Sequence, residues 1–198
     1  VKVANGSAAK NNMSLQALRN PTPYEQLADL PEGMIGELVN GRLLTHPRPA
    51  WGHLLAGSRL CTDIEGPYSR GRGGPGGWWI LVEPEVHPVL DTEVVVPDLA
   101  GWRRERVPAP PPGHKIRVIP DWVCEILSPT TGASDRKVKI PLYAHNRIPF
   151  AWLVDPQHKL LEAFELSEGN WQPLGVFRAN GKVSIAPFEA ATIDLADL

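Results

Sequence analysis

Two carboxylates sit where an ionised side chain is costly. Asp98 closes the apolar run "VVVPDL", residues 94–99, and Glu125 interrupts "DWVCEILSP", residues 121–129. A lone acid in so apolar a strand needs a partner, a cation or an open groove. In 121–129 the side chains alternate, so Val123, Glu125 and Leu127 share one face and Trp122, Cys124 and Ile126 the other. An acid on a neighbouring strand, Asp98, can approach Glu125. Together they offer hard oxygen donors, suited to Mg²⁺ or Mn²⁺ rather than zinc. Asp121 also follows a proline, but it lies four residues before Glu125. That is roughly 13 Å along a regular strand, too far to share one ion with it.

The elements that must position these acids follow from local pattern. "NPTPYEQLADLPEG" predicts a short helix with Thr22 as N-cap, Pro23 at the first helical position and Glu25 completing a capping box. "MIGELVNGRLLTH" predicts a hairpin turning at Asn40-Gly41. Trp51, Leu54, Leu55, Cys61 and Ile64 fall on one helical face within 49–65. The runs "WWILVEPEV", "TEVVVPDLAGW", "IRVIPDWVCEILS" and "FAWLVD" read as strands. "SDRKVKIPLYAHN", 134–146, is the helix among them, with Pro141 expected to kink it. "KLLEAFEL", "WQPLGVF" and "KVSIAPF" predict further C-terminal strands, with a turn at Asn180-Gly181. This order argues for α+β or mixed α/β architecture, a central sheet covered by helices.

The 198 residues fit a single domain, expected over 13–198, with 1–12 read as an added or disordered tail preceding Met13. No charged start and apolar core marks a signal peptide, so the cytoplasm is the expected location. Apolar runs such as "WWILV" are too short to cross a membrane. Net charge is −2, which gives no global pull towards nucleic acid. Cys61 and Cys124 lack metal-site spacing and read as small core residues. One segment is locally basic: Arg103, Arg104, Arg106, Lys115 and Arg117 lie in "WRRERVPAPPPGHKIR" against one acid, Glu105, and are candidate phosphate contacts. No helix-turn-helix, zinc-finger or aromatic RNA-binding signature appears.

"VVPDL…PDWVCEILSPTTGASDRKVKIPLYAHNRIPFAWLVD" resembles the Uma2 family (also called DUF820), restriction endonuclease-like proteins of the PD-(D/E)XK nuclease fold. The resemblance spans roughly 22–166 and is strongest over 94–155, in Pro-Asp, Glu-x-x-Ser-Pro, Asp, Lys-x3-Tyr and Trp-x-x-Asp. It implies a restriction-endonuclease-like core, with a mixed central sheet flanked by helices and added C-terminal hairpins. It makes Asp98 and Glu125 the metal-binding acids. The nuclease motif expects a lysine two residues after the second acid, where this chain has Leu127. The matching lysine is displaced onto the next helix at Lys139, with Lys137 as the fallback. The resemblance also brings in Glu37 of "GELVNG" as a third acid. His53 and Tyr143 become candidates to line the site.

The reading is a divalent-metal-dependent nuclease acting on DNA. Lys139 would orient the attacking water or stabilise developing negative charge. An alternative is a weak or inactive nuclease-fold module binding nucleic acid or protein, favoured by Leu127, by Pro141, and by Arg147 and Phe150 in "RIPFAW". For individual residues plainer readings stand beside the catalytic ones. Asp135 and Lys139 are spaced as an ordinary helix-surface ion pair, His53 as a helix-surface histidine, and Glu83 and Glu85 as solvated or structural acids. Exposed C-terminal strands and the need to cut two DNA strands lead to the expectation of a homodimer.

Overall fold

Asn40 and Gly41 take left-handed backbone, φ 52° and 71°. That is the conformation of a two-residue turn matched to strand twist. They join β1 (Met34–Val39) to β2 (Arg42–Pro47), with Val39 opposite Arg42. Ahead of this hairpin, α1 (Pro23–Ala28) starts at the expected capping box, with Thr22 and Glu25 bonding each other's backbone N–H. This computed structural model describes residues 20–178 and 181–198. The expected tail over 1–12 and Asn180 of the C-terminal turn lie outside them.

The chain continues through α2 (Trp51–Ile64), β3 (Trp78–Val82), β4 (Val86–Val89), β5 (Glu93–Val95), β6 (Leu99–Arg103) and β7 (Trp122–Ile126). After a helical crossover come β8 (Phe150–Asp155), β9 (Leu160–Ser167), β10 (Asn170–Arg178), β11 (Lys182–Val183) and β12 (Ile193–Asp194). Among the described residues these form a six-stranded sheet in the order β10-β9-β8-β7-β6-β3, a four-stranded sheet β2-β1-β5-β4, and the pair β11-β12. Only β7 and β8 run parallel in the large sheet. The architecture is therefore the mixed sheet flanked by helices that the pattern predicts. Parallel neighbours need a crossover, and the one from β7 to β8 carries the helix of residues 132–145.

Four strand expectations need correction. "WWILVEPEV" ends as β3 at Val82 in the large sheet, and Val86 opens β4 of the small one. "TEVVVPDLAGW" is not one strand. It breaks at Pro97, which has no N–H to donate, so β5 joins the small sheet and β6 the large one. Asp98 is thus the corner between two sheets. The "IRVIP" part of the next run makes only an isolated bridge, Ile116 with Val86. "KVSIAPF" contributes two strand residues, which pair with Ile193–Asp194 rather than with β10.

The alternation of β7 divides the core. Trp122, Cys124 and Ile126 pack with Ala56, Leu60 and Ile64 of α2 and with Phe188, Ile193 and Leu195 from the C-terminal segment. Val123 packs with Leu142 and Tyr143 of the crossover helix and with Val39 and Val95 of the small sheet. Gly57 lets α2 approach the sheet, since a methyl group there would lie 3.0 Å from Ile126 Cδ1. Among the described residues no helix is long and apolar enough to cross a membrane.

Candidate active site

Register brings the acids together. Val82 pairs with Leu99 and Leu99 with Cys124. One residue beyond each pair lie Glu83, Asp98 and Glu125, a row across the ends of three adjacent strands spaced about 4.8 Å apart. The Glu83 N–H donates to the Asp98 carbonyl at 3.0 Å, which holds the row together. The acids open onto a cleft of about 290 Å³ whose walls include His53, Glu83, Asp98, Glu125, Asp135 and Lys139.

Asp98 is held at both oxygens. Oδ1 lies 2.7 Å from His53 Nε2 and Oδ2 accepts the Ile126 N–H at 2.6 Å. His53 comes from the first turn of α2. Burial pulls the His53 pKa down, but its hydrogen bond to Asp98 and the nearby carboxylates outweigh that and leave it raised. His53 Nδ1 is buried and finds no hydrogen-bond partner among the described residues.

Glu125 is 2 % exposed. Its Oε1 lies 2.7 Å from Lys139 Nζ and accepts a hydrogen bond from the Tyr143 hydroxyl. Burial pushes Glu125 well above the ordinary carboxylate range, and the other acids add to this against the pull of Lys139. Lys139 is itself buried and also contacts Glu37 Oε1 at 3.1 Å and Asp135 Oδ1 at 3.9 Å. Burial alone would lower its pKa, but Glu125, Glu37, Asp135 and Asp98 raise it, so the ammonium keeps its charge. Burial, then the charge of Glu125, pushes Tyr143 well above its usual value.

The crossover helix delivers Lys139 by a wider turn. Gly132–Ser134 and Ile140–His145 are α-helical, while Asp135–Lys139 is a π-helical turn in which the Ile140 N–H reaches back to Asp135 O. Pro141 has no N–H and its ring would clash with the carbonyl four residues earlier in a regular helix. The widened turn accommodates it, as such turns do near functional sites. Pro67 lies in a second π-helical turn, Glu65–Ser69, after α2.

Of the residues singled out by sequence, Asp98, Glu125, Lys139 and His53 line the cleft. Tyr143 reaches Glu125 from the helix, and Glu37 stands behind Lys139, accepting the Val96 N–H at 2.7 Å. Lys137 is exposed and faces a different hollow, beside Asn40 and His145. The basic loop is not part of the cleft wall. Arg104 donates to Trp78 O and Ser69 O, Arg106 is bound to Asp121, and Arg103 stacks over Trp78. Lys115 bonds Asp91 and covers the Tyr24 ring, while Arg117 is exposed away from the cleft. Asp121 sits at the opposite end of β7 from Glu125, taking the Arg103 N–H at 2.8 Å.

Sequence reasoning undervalued two acids. Asp135 is buried rather than on the helix surface, and burial raises its pKa. The four-residue spacing from Lys139 carried the signal, but the same spacing describes an exposed pair. Glu83 belongs to the acid row, which strand pairing alone discloses.

A divalent ion, which restriction endonuclease-like proteins generally use, would find hard oxygen donors in Asp98 and Glu125. Among the described residues no group of three or more His, Cys, Asp or Glu could hold a metal ion as arranged. The cation beside Glu125 is the ammonium of Lys139. Asp98 and Glu125 are the oxygen donors that this part of the cleft offers such an ion.

A family model described as "Uma2: Putative restriction endonuclease" matches residues 21–196. No curated protein matches the chain. The fold is similar to the crystal structure of "a putative nuclease belonging to DUF820 from Anabaena variabilis ATCC 29413", with TM-score 0.68 and 20% identity, covering 90% of this chain and 97% of that one.

Proposed function

The chain belongs to the Uma2 family, and on that premise we propose that it is a divalent-metal-dependent nuclease hydrolysing DNA phosphodiester bonds. The observation that carries this is the convergence of Asp98, Glu125 and Lys139 on one cleft. Asp98 and Glu125 would hold Mg²⁺ or Mn²⁺. Such an ion polarises a phosphoryl oxygen and lowers the pKa of a bound water. Lys139 keeps a positive charge beside Glu125, where it stabilises negative charge building on the phosphate. His53 and the Ile126 N–H fix the carboxylate plane of Asp98, and Tyr143 fixes that of Glu125. Glu37 and Asp135 hold Lys139 from behind and from one helical turn away. The proposed place of action is the cytoplasm.

The test is cleavage of supercoiled plasmid with Mg²⁺ or Mn²⁺ by wild type, Asp98→Ala and Glu125→Ala. Cleavage by wild type alone supports the reading, and equal cleavage by all three sinks it. A second reading, an inactive module that binds nucleic acid or protein, is favoured by the ties on the site. Lys139 already contacts three carboxylates, and both Asp98 oxygens are occupied. Binding of DNA without cleavage under either metal selects it. A homodimer is part of the proposal, supported by exposed Leu174 and Val176 on the edge strand β10. Sedimentation equilibrium giving only monomer mass rules it out.

A further inference from the structure

The cleft wall is acidic, with Glu83, Asp98, Glu125 and Asp135 on it. A phosphate backbone entering there meets repulsion unless a cation receives it. Of the lining residues, Arg48 and Lys139 carry a full positive charge, and Lys139 is buried and paired. Arg48 is different. Its side chain is 64% exposed, and its contact with Glu83 Oε2 is long, 3.8 Å. Its backbone is nonetheless fixed, because Pro47 and Pro49 flank it and its N–H donates to Gly33 O at 3.0 Å. A rigid stem therefore presents a loosely held guanidinium to the cleft mouth. The partner is equally specific. Glu83 has left-handed backbone, φ 46°, an unfavourable state for a residue with a side chain, and its N–H is bonded to Asp98 O.

We propose that Arg48 is a phosphate-binding residue at the mouth of the cleft, and that Glu83 holds it there until a substrate phosphate takes the place of the carboxylate. The inference rests on the nuclease reading and assigns the substrate's entry side. It moves the phosphate contact from the 103–117 loop, whose Arg104 and Arg106 are bound internally, to the end of β2.

The test titrates wild type, Arg48→Ala, Glu83→Gln and Arg42→Ala against a short fluorescein-labelled DNA duplex without divalent metal, over a range of NaCl concentrations. Arg42 is the control, exposed at the other end of β2. Loss of Arg48 is expected to weaken binding roughly tenfold, the equivalent of one charged hydrogen bond. It also makes the log–log salt dependence shallower by about one unit. Glu83→Gln is expected to tighten binding several-fold, because the guanidinium no longer has to leave a carboxylate. Equal affinity of Arg48→Ala and Arg42→Ala overturns the contact. No tightening in Glu83→Gln overturns the holding role. If wild type cleaves plasmid while Arg48→Ala binds normally, this inference alone fails. If wild type neither binds nor cleaves DNA, the nuclease reading fails with it.

Discussion

Lys139 Nζ lies 2.7 Å from Glu125 Oε1, although the two residues come from different elements and both side chains are almost wholly buried. Removing one partner of such a pair leaves the other charge uncompensated. Lys139→Ala is expected to lower stability by about 3–5 kcal/mol and to abolish cleavage. Adding Glu125→Gln should restore much of the stability and none of the cleavage. Urea unfolding and plasmid cleavage of the single and double variants check this. A double variant as unstable as the single one refutes it.

The His53–Asp98 contact gives a pH dependence of known sign. An unfolded histidine titrates near about 6.5, and the folded value is raised. The folded state therefore holds the proton more tightly. Its contribution is fully present below the unfolded pKa and is lost as pH rises through the folded one. The urea midpoint of wild type should exceed that of His53→Gln by more at about pH 5.5 than at about pH 9. A gap that widens with pH contradicts the assignment.

Asp121 supplies a structural contrast to Asp98. It binds Arg106 and the Arg103 N–H at the far end of β7. Asp121→Ala should lower stability by about 1–3 kcal/mol by leaving a backbone donor unmet. Cleavage per folded molecule should stay unchanged. A selective loss of activity would place Asp121 in the chemistry.

Pro141 tests the widened turn. With alanine there, the chain regains an N–H and the steric reason for the wider turn disappears. Pro141→Ala is expected to reduce cleavage and to lower stability by up to about 3–5 kcal/mol, because a regular turn rotates Lys139 away from Glu125 and leaves buried charges unpaired. Full activity in this variant would mean that the turn does not aim the lysine.

Much of this site is legible in the chain because acids in apolar strands announce themselves. Glu125 stands out by desolvation cost, whereas Asp98 alone reads as a turn acid after proline and gains weight only beside Glu125 and the family pattern. The alternation of "WVCEI" puts Glu125 with Val123, and that face is the one the crossover helix covers. The hairpin at Asn40-Gly41 and the Thr22 cap are local, so local chemistry suffices. Features that depend on long-range pairing are hidden. "TEVVVPDLAGW" has uniform strand character, and its division between two sheets is set by partners elsewhere. Burial of Asp135 and the use of Arg104 and Arg106 inside the fold are likewise tertiary facts. A basic loop reads the same whether its charges meet water, DNA or the protein itself.

On the proposed nuclease reading, Leu127 is free to be apolar because the lysine is carried on the crossover. Its N–H donates to Val154 O at 2.7 Å, so position 127 simply continues the bonding of the large sheet. The segment that builds the scaffold and the segment that supplies the cation are separate stretches of chain. Changes between 128 and 138 can displace the ammonium while the strands stay paired. On the proposed nuclease reading, small edits in that single connection would silence or restore the site while the folded body stayed the same.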